Sequence, residues 1–493
     1  MAEEHLAAIW RQRRLIFNND GDDALYHAES ATPGGLLAVR AVPVTGTHVD
    51  TMFYCTNGSM GQFQIKTSLG ETLRDDLLPD THNVTGALID QGTDPLQAMV
   101  AHCRRHGIEI FSTIRMNDIH DGAGYSMSDK LFPSFKKEHP EYLFGSPDEP
   151  PIYGYWSGVD YAHEDVRDMA FAIAREYCTR YDIDGVELDF WRHPPFFKSQ
   201  AWGERASPQE RGLMTDLIRR IRDMTRSVED ERGKPLLIAV RLLETVELSR
   251  DYGLDLLTWL REDLVDMIVT GEGSEMPWQG LIELGHQYDV PVYPCLRRHV
   301  RPDDGQMESL RAQALVAHRL GADGLYLFNL FPETGNRHQM SMELFQDFGE
   351  PDRLLRRDKV YSFARSDGSM GKYIRDLGDY MLRPAVTPDT PLRVAPGTSV
   401  RLPVLVGDRC DDAKPGPEVE VRVELGDPAM RAGLRVAVNA GLCAGSEPDE
   451  GGATYTVSAE SLRTGYNLVE LSVREGAGAV EVTDLRLCLM YSG

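Results

Sequence analysis

The sequence predicts an α/β chain: a (β/α)₈ barrel of the TIM type, followed by a C-terminal antiparallel β-sandwich. Three observations carry that expectation. Up to about residue 345, eight short apolar runs alternate with helical patterns. Polar and charged residues crowd the C-terminal ends of those runs, while the stretches entering them are short turns. After residue 380 the texture changes to strict two-residue alternation. Alternating strands and helices give a parallel sheet, and eight units close it into a barrel. A doubly wound open sheet is the alternative, but no Gly-rich phosphate loop follows the first run.

The eight runs cover residues 15–19, 52–56, 108–114, 185–190, 236–242, 265–270, 290–295 and 324–329. Between them lie apolar stripes at helical spacing. Val166, Met169, Ala170, Ile173 and Tyr177 form one; Leu213, Leu217, Ile221 and Met224 form another. A barrel carries its active groups at the C-terminal strand ends. The first run ends in Asn18, Asn19, Asp20, Gly21, Asp22 and Asp23, and the second in Thr56 and Asn57. The third runs into Arg115, Met116, Asn117, Asp118, Ile119, His120 and Asp121. The fourth carries Glu187 and Asp189 and continues to Arg192 and His193. The remaining four end near Arg241, Glu272, Arg297 with Arg298, and Asn329.

A long excursion, 122–161, separates the third run from its helix and is rich in aromatic residues, among them Tyr125, Phe132, Phe135, Tyr142, Tyr153, Tyr155 and Trp156. Loops of that length in a compact domain are usually functional. The rings either stack on sugar faces at the barrel mouth or pin the loop down as a satellite cluster. The expected division is a barrel over 1–380, a Pro-rich linker over 381–396 and a sandwich over 397–493. In the last part Val419, Val421, Val423 and Leu425 alternate with Glu420, Arg422 and Glu424. The pattern repeats at Val469, Leu471 and Val473 and at Leu485, Leu487 and Leu489. That domain carries no catalytic constellation and is expected to brace the barrel.

Composition narrows the partners. The chain has 493 residues, 42% of them hydrophobic, as an ordinary globular protein does, and a formal net charge of −25. Such a charge disfavours nucleic acid and anionic membrane surfaces. Seven scattered cysteines, an odd count without a close pair, indicate neither a disulfide framework nor a zinc knuckle. Residues 1–14 are charged and lack an apolar signal region, so the expectation is cytoplasmic, with secretion left open. Self-association is also left open.

The mouth residues support two chemistries. Glycosidic cleavage needs a proton donor to the leaving oxygen and a base or nucleophile across the sugar. Asp20, Asp22, Glu187, Asp189 and His120 are suitable, and Glu187 and Asp189, two apart on one strand, share the lumen face. A divalent metal site is the other reading, from His120, His193, Asp20, Glu187 and Asp189, although no metal-binding spacing supports it. Arg115, Arg192 and Arg241 stand at three neighbouring strand ends of an acidic protein. Guanidinium grips a carboxylate in two places, so these arginines either hold an anionic substrate or neutralise adjacent carboxylates such as Glu187 and Asp118.

Several phrases resemble the glycosyl-hydrolase-like barrels of the broad family-10-like group. They are Asp94, Pro95 and Leu96 through Gly107 to Phe111, the Arg115 to Asp121 motif, His139, Pro140 and Glu141, and Asp184 to Asp189. Within that group the chain resembles the inverting sialidases of glycoside hydrolase family 156. The resemblance implies a (β/α)₈ barrel, a C-terminal β-domain and a histidine–aspartate pair. The acid falls on His120, five residues after Arg115. The base falls on Asp20, with Asp22 and Asp23 close enough to share that placement. A sialoside carries a carboxylate on its anomeric carbon, which repels a carboxylate nucleophile; a water activated by aspartate avoids that attack. Histidine suits the acid role because its reference pKa is about 6.5.

The expectation is therefore an exo-acting inverting sialidase that needs no cofactor and no metal. Asp20 and His120 are its catalytic pair. Asn19, Asp22, Asn57, Arg115, Asn117, Asp118, Glu187, Asp189, Arg192, Arg241 and Asn329 bind its substrate, an anionic carbohydrate. The alternatives are a glycosidase for neutral or uronic sugars using Glu187 or Asp189 with Asp20, a non-catalytic sugar-binding barrel, and a metal-dependent hydrolase or isomerase.

Overall fold

The computed structural model describes residues 2–78, 81–121, 129–271, 278–298, 305–363, 369–380, 384, 386–408, 416–449 and 451–491. Tyr125, Glu272 and Cys410, and residues 381–383 and 385 of the expected linker, lie outside them.

Eight parallel strands form the barrel: β1 (Leu15–Asn19), β2 (Val49–Cys55), β3 (Glu109–Arg115), β4 (Gly185–Asp189), β5 (Leu237–Arg241), β6 (Met267–Val269), β7 and β8 (Leu325–Phe328). The seventh is not the continuous strand that its apolar run suggests. It is broken into Val292–Tyr293, which pairs with β6, and Cys295–Leu296, which pairs with β8. Pro294 sits at the break. It has no N–H to give to a ladder, but its carbonyl accepts the Tyr326 N–H at 2.9 Å, so the ring of strands passes through it.

The helices between the strands have clear start and stop chemistry. In Pro95–His106 the Asp94 side chain accepts the Gln97 N–H, Pro95 opens the first turn, and Gly107 closes it in the left-handed conformation. Pro208–Arg232 begins with a Ser207/Glu210 capping box and ends at Gly233. The stripe residues Val166, Ala170, Ile173 and Tyr177, and Leu217 and Ile221, are buried against the outside of the barrel.

The lumen is built in layers. Side chains at alternate strand positions point inward, and in register Phe111, Gly185 and Leu237 form one layer, Thr113, Glu187 and Ala239 the next, and Arg115, Asp189 and Arg241 the last. Gly185 has to be glycine: a Cβ there would lie 2.3 Å from the Phe111 ring and 2.5 Å from the Leu237 carbonyl. Apolar residues, including Ile16, Phe53, Phe111, Leu237, Met267 and Tyr326, fill the lower lumen. Beneath them the buried Arg13 guanidinium donates to Glu109 at 2.6 and 2.8 Å. Polarity therefore rises toward the C-terminal end, which places the chemistry there.

The C-terminal part is two antiparallel sheets around one apolar core. Ser399–Val406, Gly465–Val473, Leu434–Val438 and Gly441–Leu442 make one sheet. The other contains Val480–Met490, Glu418–Leu425, Gly452–Val457 and Ala444–Asp449. The alternating Val419, Val421, Val423, Val469, Leu471, Val473, Leu485, Leu487 and Leu489 all face the core. Two strands lie earlier in the chain than the texture change suggests. Lys359–Ser362 and Leu392–Val394 both pair antiparallel with Val480–Met490, so residues assigned by sequence to barrel and linker belong to this sheet. Among the described residues no helix is long and apolar enough to cross a membrane.

Candidate active site

A cavity of about 780 Å³ opens at the C-terminal end of the barrel. Asp20, Asp22, Asn57, Arg115, Asp118, His120, Arg192, Arg241 and Asn329 all line it. They come from β1, β2, β3, β4, β5 and β8 or the loops that follow them, so the fold gathers residues scattered over three hundred positions. Gly21 sets the first loop. Its φ is +79°, and a Cβ there would lie 1.8 Å from the Cys55 carbonyl, so only glycine lets Asp20 and Asp22 pass this close to β2.

Arg115 is the hub. Its Nη1 donates to Asp118 Oδ2 at 2.6 Å and its Nη2 to Asp20 Oδ1 at 2.6 Å. Asp118 is buried and its other oxygen accepts twice from His120, from the backbone N–H at 2.9 Å and from Nδ1 at 2.7 Å. Facing a carboxylate, Nδ1 carries a proton, which leaves Nε2 as the nitrogen that exchanges one. Arg192 Nη2 lies 3.4 Å from Asp20 Oδ2 and 3.5 Å from His120 Nε2. Asp20 and His120 thus share one nitrogen of the Arg192 guanidinium.

Electrostatics follow from these pairs. Burial pushes the Asp20 carboxyl up, but Arg115 and Arg192 outweigh it and hold Asp20 below the usual carboxylate range. Burial opposes ionisation of Asp118 too, and His120 and Arg115 bring it well below that range. Asp22 is lowered against burial by Arg40, whose Nη1 donates to it at 2.5 Å, and by His27. Asp23 lies apart. It is buried beneath the loop against Asn19 and Tyr54, and burial raises it, so of the three aspartates Asp20 and Asp22 line the cavity and Asp23 does not.

Four residues expected at the substrate do not line the cavity. Glu187 sits one layer down, where Thr113 Oγ1 donates to it at 2.6 Å and Tyr326 OH at 2.8 Å. Burial and the neighbouring Asp189 push it up to about 8. Asp189 is buried too; it accepts from Arg241 Nη1 at 3.1 Å and from the Arg192 backbone N–H at 3.1 Å, and burial raises it. The parity that aims both residues into the lumen is right, but Glu187 lies one layer below the open space, and Asp189, level with Arg115 and Arg241, is buried against Arg241 and the Arg192 backbone. Asn19 is buried outside the strand ring, donating to Asp23 and accepting from Arg40. Asn117 donates to the Pro195 carbonyl and accepts the Val159 N–H, which ties two loops together.

Other residues complete the site, and of these Arg337, Lys372 and Tyr373 carried little sequence signal. His193, in the left-handed region at φ 54°, packs its ring 4.8 Å from that of His120, and burial together with His120 and Arg192 holds it well below the usual imidazole range. The Arg241 guanidinium lies 3.8 Å over the Phe328 ring. Arg337, Lys372, Tyr373, Tyr155 and Trp191 also line the space. Among the described aromatic residues of the excursion only Tyr155 lines it, while Phe132, Phe135 and Trp156 pack against the core and Phe132 against Trp156. Among the described residues, five cationic side chains, Arg115, Arg192, Arg241, Arg337 and Lys372, line the cavity, against the carboxylates Asp20, Asp22 and Asp118. That bias opposes the chain's net −25. Arg192 Nε and Asn329 Oδ1 are buried without a hydrogen-bond partner among the described residues, so each retains capacity for a ligand.

Asp118, His120 and His193 present ligand-type atoms within 4.8 Å of one another. Both Asp118 oxygens already accept from Arg115 and His120, and two arginines border the group, so the local charge favours an anion over a cation.

No protein-family model matches the chain, and no curated protein matches it. Among solved structures it is similar to a cycloisomaltooligosaccharide glucanotransferase of Paenibacillus sp., at 9% identity over 97% of this chain and 57% of that one, with a TM-score of 0.37. It is similar to α-L-fucosidase isoenzyme 2 from Paenibacillus thiaminolyticus, at 14% identity over 69% and 48%, with a TM-score of 0.42. It is also similar to the PgaB (BpsB) glycoside hydrolase domain from Bordetella bronchiseptica, at 12% identity over 64% and 93%, with a TM-score of 0.41. The chain spans about half the length of the first two.

Proposed function

We propose that this chain is an exo-acting, inverting glycoside hydrolase for a sugar that bears a carboxylate, with a terminal sialic acid as the sugar favoured by the family 156 resemblance. The observation that carries the reading is that Asp20 and His120 both line one cation-rich cavity within reach of the same Arg192 nitrogen.

In this reading His120, oriented by Asp118, gives its Nε2 proton to the glycosidic oxygen as the bond to the anomeric carbon breaks. Asp20 takes a proton from the water that attacks that carbon from the opposite face. The products are the free sugar and the alcohol of the leaving group. The substrate carboxylate displaces part of the Asp20–arginine pairing, since Arg115 and Arg192 are the cations nearest to the pair. Laid end to end, the two Arg192 distances reach only the short end of the separation of about 6.5–9.5 Å that inversion needs. Paired-carboxylate cleavage by Glu187 and Asp189 is disfavoured, because both are buried, Glu187 one layer below the cavity and Asp189 against Arg241, and neither lines the open space.

The test is hydrolysis of an aryl α-sialoside beside a panel of neutral and uronic aryl glycosides, with proton NMR of the sugar first released. The expected product is the β-anomer of sialic acid. An α-anomer means retention. Turnover of neutral glycosides alone, or binding without turnover, removes the anionic substrate or the catalysis.

A further inference from the structure

We infer that residues 369–380 form a strap that reads the leaving group of the substrate, with Tyr373 and Lys372 as its contact residues. The inference rests on His120 being the acid, and it gives the β-sandwich a part in specificity that bracing alone does not.

The path of the chain makes the strap a projection of the sandwich. Lys359–Ser362 pairs with Val480–Met490, and the Phe363 N–H continues that ladder to the Leu485 carbonyl at 2.9 Å. The chain then crosses to the barrel mouth and returns to the same strand at Leu392–Val394. On the mouth it is fastened at several points. The Gly154 N–H donates to the Lys372 carbonyl at 2.5 Å. Tyr252 OH donates to the Tyr373 carbonyl at 3.1 Å and accepts the Arg375 N–H at 2.9 Å. Tyr380 OH donates to Asp251 at 2.6 Å, and Ile374 is buried in the barrel core. A segment held this firmly presents its side chains in fixed places.

Those places are on one side of the acid. The Tyr373 ring lies 5.8 Å from the His193 ring, which packs 4.8 Å from His120, and 5.9 Å from the ring of Tyr155. Both tyrosines and Lys372 line the cavity. The acid protonates the leaving oxygen, so whatever is attached to that oxygen passes this wall. Two tilted rings offer apolar faces to the C–H face of a pyranose. Lys372, exposed and without an ion pair among the described residues, offers an ammonium to hydroxyl or carboxylate oxygens. The chemistry recognised is a sugar leaving group rather than a small alcohol.

The experiment compares kcat/KM for sialyllactose and for methyl α-sialoside in wild type, Tyr373→Ala, Tyr373→Phe and Lys372→Ala. The expected result is that the sialyllactose-to-methyl ratio drops about tenfold in Tyr373→Ala and severalfold in Lys372→Ala, mostly through KM. Tyr373→Phe, which keeps the ring, retains the ratio. Equal losses on both substrates, or a ratio unchanged within twofold, overturn the strap's role. If the wild type hydrolyses only neutral glycosides, the proposed sugar fails but the same ratio on the matching neutral pair still tests the strap. If it hydrolyses nothing, calorimetric binding of sialyllactose against free sialic acid takes its place, and variants that weaken both equally overturn the inference.

Discussion

Glu187→Gln tests the electrostatic account of the lumen without reference to any substrate. Glu187 is buried between Thr113 and Tyr326, and burial with the nearby Asp189 charge raises it from the ordinary glutamate value to about 8. A carboxyl raised on folding keeps its proton where the unfolded chain has lost it. Its stabilisation is therefore complete below about pH 4.5 and erodes as pH climbs to about 8. At about 1.4 kcal/mol per tenfold change in proton affinity, that interval gives a ceiling of about 5 kcal/mol. Because Asp189 and Arg241 share the charge, about 1–3 kcal/mol is expected. Glutamine is nearly isosteric and cannot ionise, so it removes this dependence. Groups common to both proteins, such as the lowered His193 and His318 and the raised His5, cancel in the difference. Thermal unfolding of both proteins from pH 5 to 9 is the assay. From the usual unfolding entropy per residue, 1 kcal/mol moves the midpoint of a barrel this size by roughly 1–2 °C. The variant should gain about 2–4 °C on the wild type as pH rises. Parallel curves would refute a protonated Glu187 and return it to the pool of candidate nucleophiles.

Two further outcomes bear on the mouth. His120→Asn should cut turnover by about 10²–10⁴ on sialosides with poor leaving groups and by less on activated aryl sialosides, whose departure needs less protonation; equal losses on both would take the acid role from His120. Arg192→Lys keeps a charge but loses the guanidinium that spans Asp20 and His120. It should weaken an acidic glycoside at least tenfold more than its neutral counterpart, read as the ratio of kcat/KM values, and a ratio of one would sink the anion-holding role.

Much of the barrel was legible because each strand is a short β-branched or apolar run and each mouth is marked by abrupt polarity. The motif from Arg115 to Asp121 stood out for that reason, and Arg115, Asp118 and His120 do form one bonded unit. Parity also aimed Glu187 and Asp189 into the lumen, but periodicity carries neither depth, which separates Glu187 from the cavity, nor the partners that cover Asp189. The break at Pro294 was hidden because the run reads as apolar on both sides of it. Arg40 was not foreseen: it lies between two helical segments, far in sequence from Asp22 and Glu333, which it holds. Lys372 and Tyr373 lie in a stretch with no periodicity, and they are brought to the mouth by contacts with residues 120 or more positions away, at Gly154, Tyr252 and Asp251, and by the pairing of Lys359–Ser362 with a strand more than a hundred residues later. Local pattern records local structure, and such long-range pairing leaves no local trace.

That pairing has a consequence for how the protein is made. The last barrel strand is complete at Phe328, so the barrel ring can close while the rest of the chain is still being synthesised. Lys359–Ser362 and Leu392–Val394 cannot find their ladder until Val480–Met490 has emerged. At 5–20 residues per second, the roughly 120 residues between the first and last of these strands take about 6–24 s to translate. During that interval the strap beside His120 is held only by its contacts with the barrel, while the strands that flank it wait for their partner.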